Sequence, residues 1–230
     1  MSEIICDNLQ IIGRRIREAE QRYQRSENSV KLLAVSKTKP LEDIEEAMAC
    51  GQVAFGENYA QEMAEKAQQE SVKAAEWHYI GPMQSNKTKW VAEYATWVHS
   101  VDRLKIAKRL HEQRTVDQSP LQVCLQVNIS KESSKSGLLP DQVLPLMEEM
   151  STLEHLCIRG LMAIPAVTKD FQAQRMAFAQ VRELYESLNA QGFALDTLSM
   201  GMTNDMEAAI AEGATMVRIG TAIFGARLAI

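Results

Sequence analysis

The chain alternates eight times between a short apolar run and a longer amphipathic stretch, and this alternation restricts the possible folds more than any other feature. The apolar runs are 31–37, 53–58, 77–81, 97–101, 121–128, 156–164, 197–201 and 216–224. They read as strands covered on both faces, as parallel strands are. The stretches between them carry apolar residues at helical spacing: Ile44 and Met48; Leu104, Ile106, Ala107 and Leu110; Phe171, Phe178, Val181, Leu184 and Leu188. A further amphipathic helix with Ile5, Leu9, Ile12 and Ile16 precedes the first strand. Pro40 suits a first helical turn and Gly51 a C-terminal cap. Asp102 reads as a cap, and Asn204 with Glu207 as a capping pair for a helix that ends at Gly213.

Eight such units in 230 residues fit a single (β/α)8 TIM barrel, an α/β fold. A doubly wound open sheet is the competing arrangement. No linker, low-complexity segment or solenoid repeat interrupts the pattern, so residues 1–230 are expected to form one domain.

Composition limits the function. The chain is 46% hydrophobic and 24% charged, with a formal net charge of −5. That balance argues against nucleic acid or an anionic membrane as a general partner. No apolar run approaches the roughly 20 residues that span a bilayer, and the N-terminus lacks a signal-peptide block, so a cytoplasmic protein is expected. Cys6, Cys50, Cys124 and Cys157 show no metal spacing and the four histidines are scattered. The cysteines are expected to be reduced, and no metal site is expected.

In a barrel, reactive groups gather at the C-terminal ends of the strands. Those positions are Lys37, Asn58, Gly81, Ser100, Asn128, Pro165, Gly201 and the segment 218–220. Lys37 follows a wall of apolar residues, and partial desolvation there would favour a neutral, nucleophilic amine that can condense with a carbonyl. A strand-end lysine is more often simply solvated or ion-paired. The last two strands add a second signal, with Ser199, Gly201 and Met202 before the helix that follows one and Arg218, Gly220 and Thr221 at the end of the other. Glycine lets backbone N–H groups approach an anion, and barrels often hold phosphate in these two loops. The alternative is that Gly201 and Gly220 only shape turns. Lysine and phosphate loops together would bracket a ligand carrying an aldehyde and a phosphate.

The segments "LLAVSKTKP", "FGENYAQE", "EWHYIGPMQSNK", "LQVNISKESSKSG", "RGLMAIP", "LSMGMTNDMEAAI" and "MVRIGTAIFG" occur in that order. Through them the chain, from 32 to 227, resembles the pyridoxal phosphate homeostasis protein family. The resemblance implies a barrel similar to the N-terminal domain of alanine racemases, the type III fold of pyridoxal 5′-phosphate (PLP) proteins. It implies PLP held as an internal aldimine on Lys37, with Arg218 at the pyridine nitrogen. Ser199, Gly201, Met202, Gly220 and Thr221 match the phosphate-cradling segments. Asn58, His78 and Met162 would approach the ring or the aldimine, although His78 reads equally well as a structural histidine in the barrel wall. Lys39 and Lys135 are further lysines near the site, by default solvated. No catalytic residue is implied.

The implied function is storage, buffering and supply of PLP to apoenzymes by a monomer, with effects on amino-acid and vitamin B6 balance. An amino-acid racemase is the alternative. Racemases of this fold take a tyrosine from a second domain and another four residues after the lysine, where this chain has Leu41. A cofactor-free Schiff-base aldolase acting on a sugar phosphate is a third reading.

Overall fold

The computed structural model describes residues 4–130, 132 and 136–225. Its strands are β1 (Lys31–Val35), β2 (Ala54–Glu57), β3 (Glu76–Tyr79), β4 (Trp97–Val101), β5 (Leu121–Val127), β6 (Leu156–Ala163), β7 (Thr197–Ser199) and β8 (Met216–Ile219). Each pairs in parallel with the next, and β1 pairs with β8 to close the barrel, Leu33 lying opposite Arg218. The closed barrel, and not the open sheet, is the fold. The helices are α1 (Ile4–Arg22), α2 (Leu41–Ala49), α3 (Ala60–Ala67), α4 (Thr88–Tyr94), α5 (Leu104–Gln113), α6 (Pro140–Met150), α7 (Phe171–Ala190), α8 (Met206–Ala211) and α9 (Thr221–Phe224).

Alternation along each strand sends one set of side chains out to the helices and the other into the barrel. The outward set forms the main core, where Phe55, Ile44, Met63, Leu110, Met147 and Phe178 are fully buried. The inward set is unusual for a barrel, whose centre is ordinarily filled by branched aliphatic residues. Trp97, Cys124 and Met162 form a small apolar cluster of their own. Around them lie buried polar groups: His78, His99, Ser199 and Arg218.

The run 216–224 is not one strand. β8 ends at Ile219, Gly220 turns the backbone out of the extended region (φ −117°, ψ −77°), and α9 follows. So short a helix cannot fill the last place in the outer ring. α1 takes it, packing against α8, α9 and α2. Its buried stripe of Ile5, Ile12 and Ile16 faces inward, Asn8 donates to the Ile223 carbonyl (2.8 Å), and Tyr23 donates to Glu207 (3.0 Å). That contact also explains why Asn204 and Glu207 do not form a capping pair. Asp205 stands at the N-cap of α8 and accepts from the Met202 N–H (2.5 Å). Likewise Arg103, not Asp102, is the N-cap of α5, and Asp102 pairs with Arg103. The docking of α1 on α2 also brings Cys6 and Cys50 together as a disulfide with Cα atoms 5.6 Å apart, contrary to the expectation of reduced cysteines. Cys124 and Cys157 are thiols.

The end of β1 is held by a buried ionic cluster. Ser36 Oγ donates to Glu57 Oε1 (2.6 Å), and Lys66 of α3 donates to Glu57 (2.8 Å), to the Ser36 carbonyl (3.0 Å) and to Glu62 (2.7 Å). Glu62 also accepts from the Thr38 N–H (2.6 Å), and Lys39 Nζ donates to the Phe224 carbonyl (2.7 Å). Thr38 has φ of 60°, a left-handed conformation that a β-branched residue adopts only when its surroundings impose it. Every residue flanking Lys37 is therefore pinned.

Burial pushes the Glu57 carboxyl from an ordinary 4.5 up to about 7, against the pull of Lys66 and Ser36. The folded protein therefore keeps a proton that the unfolded chain has released between about pH 4.5 and about pH 7, so stability falls as pH rises through that window and is level above it. In Glu57→Gln this slope should flatten by on the order of 2 kcal/mol between about pH 5 and about pH 8. Urea unfolding at both pH values measures it, and an unchanged slope would show that Glu57 is ionised throughout. Two glycines give a second test. A Cβ on Gly160 would lie 1.7 Å from the Thr197 carbonyl oxygen, whereas one on Gly13 in α1 meets nothing within 4 Å. Gly160→Ala should destabilise by about 3 kcal/mol or more, and Gly13→Ala should stabilise by about 0.5–1 kcal/mol, both read as shifts in Tm.

Candidate functional site

The C-terminal ends of the strands surround a mouth with two walls of different character. Lys37, two residues past β1, is half-buried there. Arg218 on the adjoining β8 lies deeper, 5% exposed. Its Nη1 donates to the Ser199 carbonyl (2.5 Å) and to Ser199 Oγ (2.9 Å), and its Nη2 to the Ala163 carbonyl (3.0 Å). Burial lowers its pKa to about 10, with Asp205 opposing the shift, so it is a cation at neutral pH. Neutral oxygens rather than a carboxylate supply these contacts.

Ser199 is fully buried and its Oγ is shared with His99 Nδ1 at 2.8 Å. His99 Nε2 lies 2.9 Å from His78 Nδ1, and His78 Nε2 lies 2.8 Å from Glu76 Oε1 at the opposite end of the barrel. Burial holds both imidazoles below their ordinary pKa, His99 much further than His78. His78 stacks on Trp97 with ring centroids 5.5 Å apart. Both of its ring nitrogens are thus engaged inside the barrel, beneath the mouth. Met162 is also interior, 1% exposed, beside Trp97 and Cys124.

The loops after β7 and β8 form one wall. Gly201 has φ of +97°, and a Cβ there would meet Ala209 Cβ of α8 at 2.6 Å, so only glycine lets this loop lie against the helix. A Cβ on Gly220 would lie 3.1 Å from the Val35 carbonyl oxygen, which seats the end of β8 on β1. Met202 and Thr221, with Thr203, Asn204, Ala222 and Pro165, line a cavity of about 450 Å³. The first turn of a helix such as α9 presents N–H groups with no partner inside the helix. The other wall is a recess of about 230 Å³ whose lining includes Asn58, Ile80, Gln126, Asn128 and Ile164. Asn58 Oδ1 is buried and has no hydrogen-bond partner among the described residues.

The structure places Lys37, Asn58, Gly201, Met202, Gly220 and Thr221 at the strand ends, as expected, whereas Ser199, expected beside Gly201 and Met202, and His78 and Met162, expected toward a bound ring, lie buried inside the barrel beneath them with Arg218. Lys39 is tied to Phe224, and Lys135 lies outside the described residues. His99, Glu57, Lys66 and Asp205 were missed. For His99 a signal existed, since period-two alternation from Trp97 turns it inward and turns Ser100 outward. Glu57 and Lys66 gave none, because only the docking of α3 brings them together. Among the described residues no cluster of three or more metal-ligating side chains occurs.

Residues 8–228 match the family described as alanine racemase, N-terminal domain. The pyridoxal phosphate homeostasis protein of Pasteurella multocida is 56% identical over 97% of this chain and 97% of its own length. Among solved structures, PipY of Synechococcus elongatus with PLP bound superposes with a TM-score of 0.81 at 36% identity, over 96% of this chain and 100% of that one. An alanine racemase from Clostridium difficile gives a TM-score of 0.73 at 15% identity, over 95% of this chain and 56% of the racemase, a likeness of fold alone. With the barrel, the strand-end lysine and near full-length identity above half all in agreement, the chain belongs to the pyridoxal phosphate homeostasis protein family.

Proposed function

We propose that the chain is a pyridoxal 5′-phosphate-binding protein that maintains the PLP pool by storing, buffering and handing on the cofactor. The observation that carries the reading is a lysine between clamped neighbours just past β1 together with a buried guanidinium on β8, the two strands that close the barrel. Three features fit PLP. The orphaned Asn58 Oδ1 offers an acceptor, the loops after β7 and β8 line a cavity of about 450 Å³ that has room for a phosphate, and Arg218 offers a fixed donor to a ring nitrogen. Bound PLP would supply an aldehyde that takes an amine and a ring that withdraws electrons.

In this reading Lys37 holds the cofactor through its aldehyde, and Asn58 and Met162 lie toward the ring. Gly201, Met202, Gly220 and Thr221 cradle the phosphate, with Ser199 beneath them. Arg218 faces the pyridine nitrogen. A guanidinium keeps its protons at ordinary pH, so it donates to that nitrogen without protonating it. An unprotonated ring is a weak electron sink, which suits holding the cofactor rather than using it. We assign the reading to a single barrel domain over 1–230, acting as a cytoplasmic monomer without turnover and passing PLP to apoenzymes.

Two measurements test this. Borohydride treatment of the PLP-loaded protein should fix the cofactor on the Lys37 peptide, read by mass spectrometry, and Lys37→Ala should lose that adduct; fixation at another lysine would overturn the assignment. In D2O, α-proton exchange of L-amino acids by the loaded protein should be no faster than with free PLP. Rapid, amino-acid-selective exchange that disappears in Lys37→Ala would instead make the chain a racemase-like enzyme.

A further inference from the structure

We infer that His99 and His78 are positioning residues: with Ser199 they form a one-way hydrogen-bond relay that runs down the inside of the barrel from Arg218 to Glu76 and fixes the orientation of the guanidinium. The inference rests on the reading of Arg218 as the partner of the cofactor ring.

The direction of the relay follows from what each group can do. A guanidinium only donates. Because Arg218 Nη1 gives a proton to Ser199 Oγ, the serine hydroxyl proton is directed to its other neighbour, His99 Nδ1. His99 Nδ1 is then an acceptor, and the ring proton sits on Nε2, facing His78 Nδ1. His78 in turn carries its proton on Nε2 and donates it to Glu76 Oε1. Each ring nitrogen has one partner, and both imidazoles are neutral Nε2–H tautomers.

The reverse arrangement fails at its far end. It would leave the bare His78 Nε2 facing Glu76 Oε1 at 2.8 Å, two acceptors in contact unless the carboxyl carried a proton. His78 holds the Glu76 carboxyl below its ordinary range, and Lys31 adds to that pull. A second proton on His78 would set its Nδ1–H against His99 Nε2–H at 2.9 Å, and one on His99 would sit on Nδ1 and displace the proton that Ser199 Oγ donates there. Burial of both rings, and the charge of Arg218 on His99, oppose that protonation.

In this arrangement the Ser199 hydroxyl is committed to Arg218 and His99, so its service to the cofactor is indirect. The guanidinium gains two fixed acceptors on one nitrogen, Ser199 O and Ser199 Oγ, and a third contact at Ala163 on the other. The hydroxyl can keep its place only while His99 accepts from it.

The test uses the full chain with 15N-labelled histidine. In the cofactor-free protein, long-range 1H–15N spectra should show His78 and His99 as neutral Nε2–H tautomers at neutral pH. An Nδ1–H tautomer of either residue, or a protonated ring at neutral pH, would overturn the relay even if PLP were bound as proposed. In the loaded protein, His99→Leu should weaken PLP retention about tenfold and shift the absorbance of the bound cofactor, while His99→Gln, which can accept from Ser199 and donate to His78, should stay within about threefold of the parent. A folded His99→Leu that retains PLP with unchanged affinity and spectrum would overturn the positioning role. Failure of the unmodified chain to take up PLP would overturn the functional reading and the positioning role with it, leaving the tautomer pattern of the cofactor-free chain as the separate check on the relay.

Discussion

A buried guanidinium must be solvated by something, and the way Arg218 is solvated organises the interior of this barrel. Removing a cation from water is expensive unless its N–H groups find acceptors. Here these come from the Ala163 carbonyl at the end of β6 and from the carbonyl and hydroxyl of Ser199 on β7, while Asp205 contributes its charge. Arg218 therefore laces three neighbouring strands together at their C-terminal ends. The polar interior follows: Ser199 calls for His99, His99 for His78, and His78 for Glu76. Such a chain takes much of the space that branched aliphatic residues fill in an ordinary barrel.

The second charged assembly works on the opposite face of the strands. Glu57 and Lys66 lie between barrel and helix, where a charged pair contributes little net stability compared with well-packed apolar groups. What it does achieve is geometric, because the same lysine grips the Ser36 carbonyl and both carboxylates, and Glu62 reaches the Thr38 N–H. The strained Thr38 conformation is the mark of that grip. Lys37 emerges between two anchored neighbours, two residues past the C-terminal end of β1.

The barrel itself was legible because eight buried strands leave eight apolar runs, and the strand-end rule then singles out Lys37 and the Arg218 segment. What could not be read depended on tertiary docking. The run 216–224 is apolar throughout, so periodicity gave no hint that it breaks at Gly220 into a strand and a short helix. The place of α1 in the outer ring depends on that break, and the Cys6–Cys50 bridge depends on α1. Asn204 and Glu207 carry the spacing of a capping pair, but Glu207 is drawn away by Arg22, the last residue of α1, and by Tyr23 just after it. His99 was legible in principle from its inward register. It stands in the middle of β4, whereas the strand-end rule singles out only residues at the mouth.

The seam between β1 and β8 has a consequence for how the protein comes into being. Leu33 and Arg218, opposite one another across it, stand 185 residues apart in the chain, among its most non-local meetings. Contacts of that kind are slow to form because the loop between them must close first. The isoleucine stripe of α1 is made early and covered late, since its neighbours α8 and α9 are the last helices of the chain. A chain that has folded seven strands thus has Lys37 at the end of β1 but not yet Arg218 on the strand beside it, and the site exists only once the ring is complete. A ligand that bridges the seam binds the finished barrel alone and draws the folding equilibrium toward it.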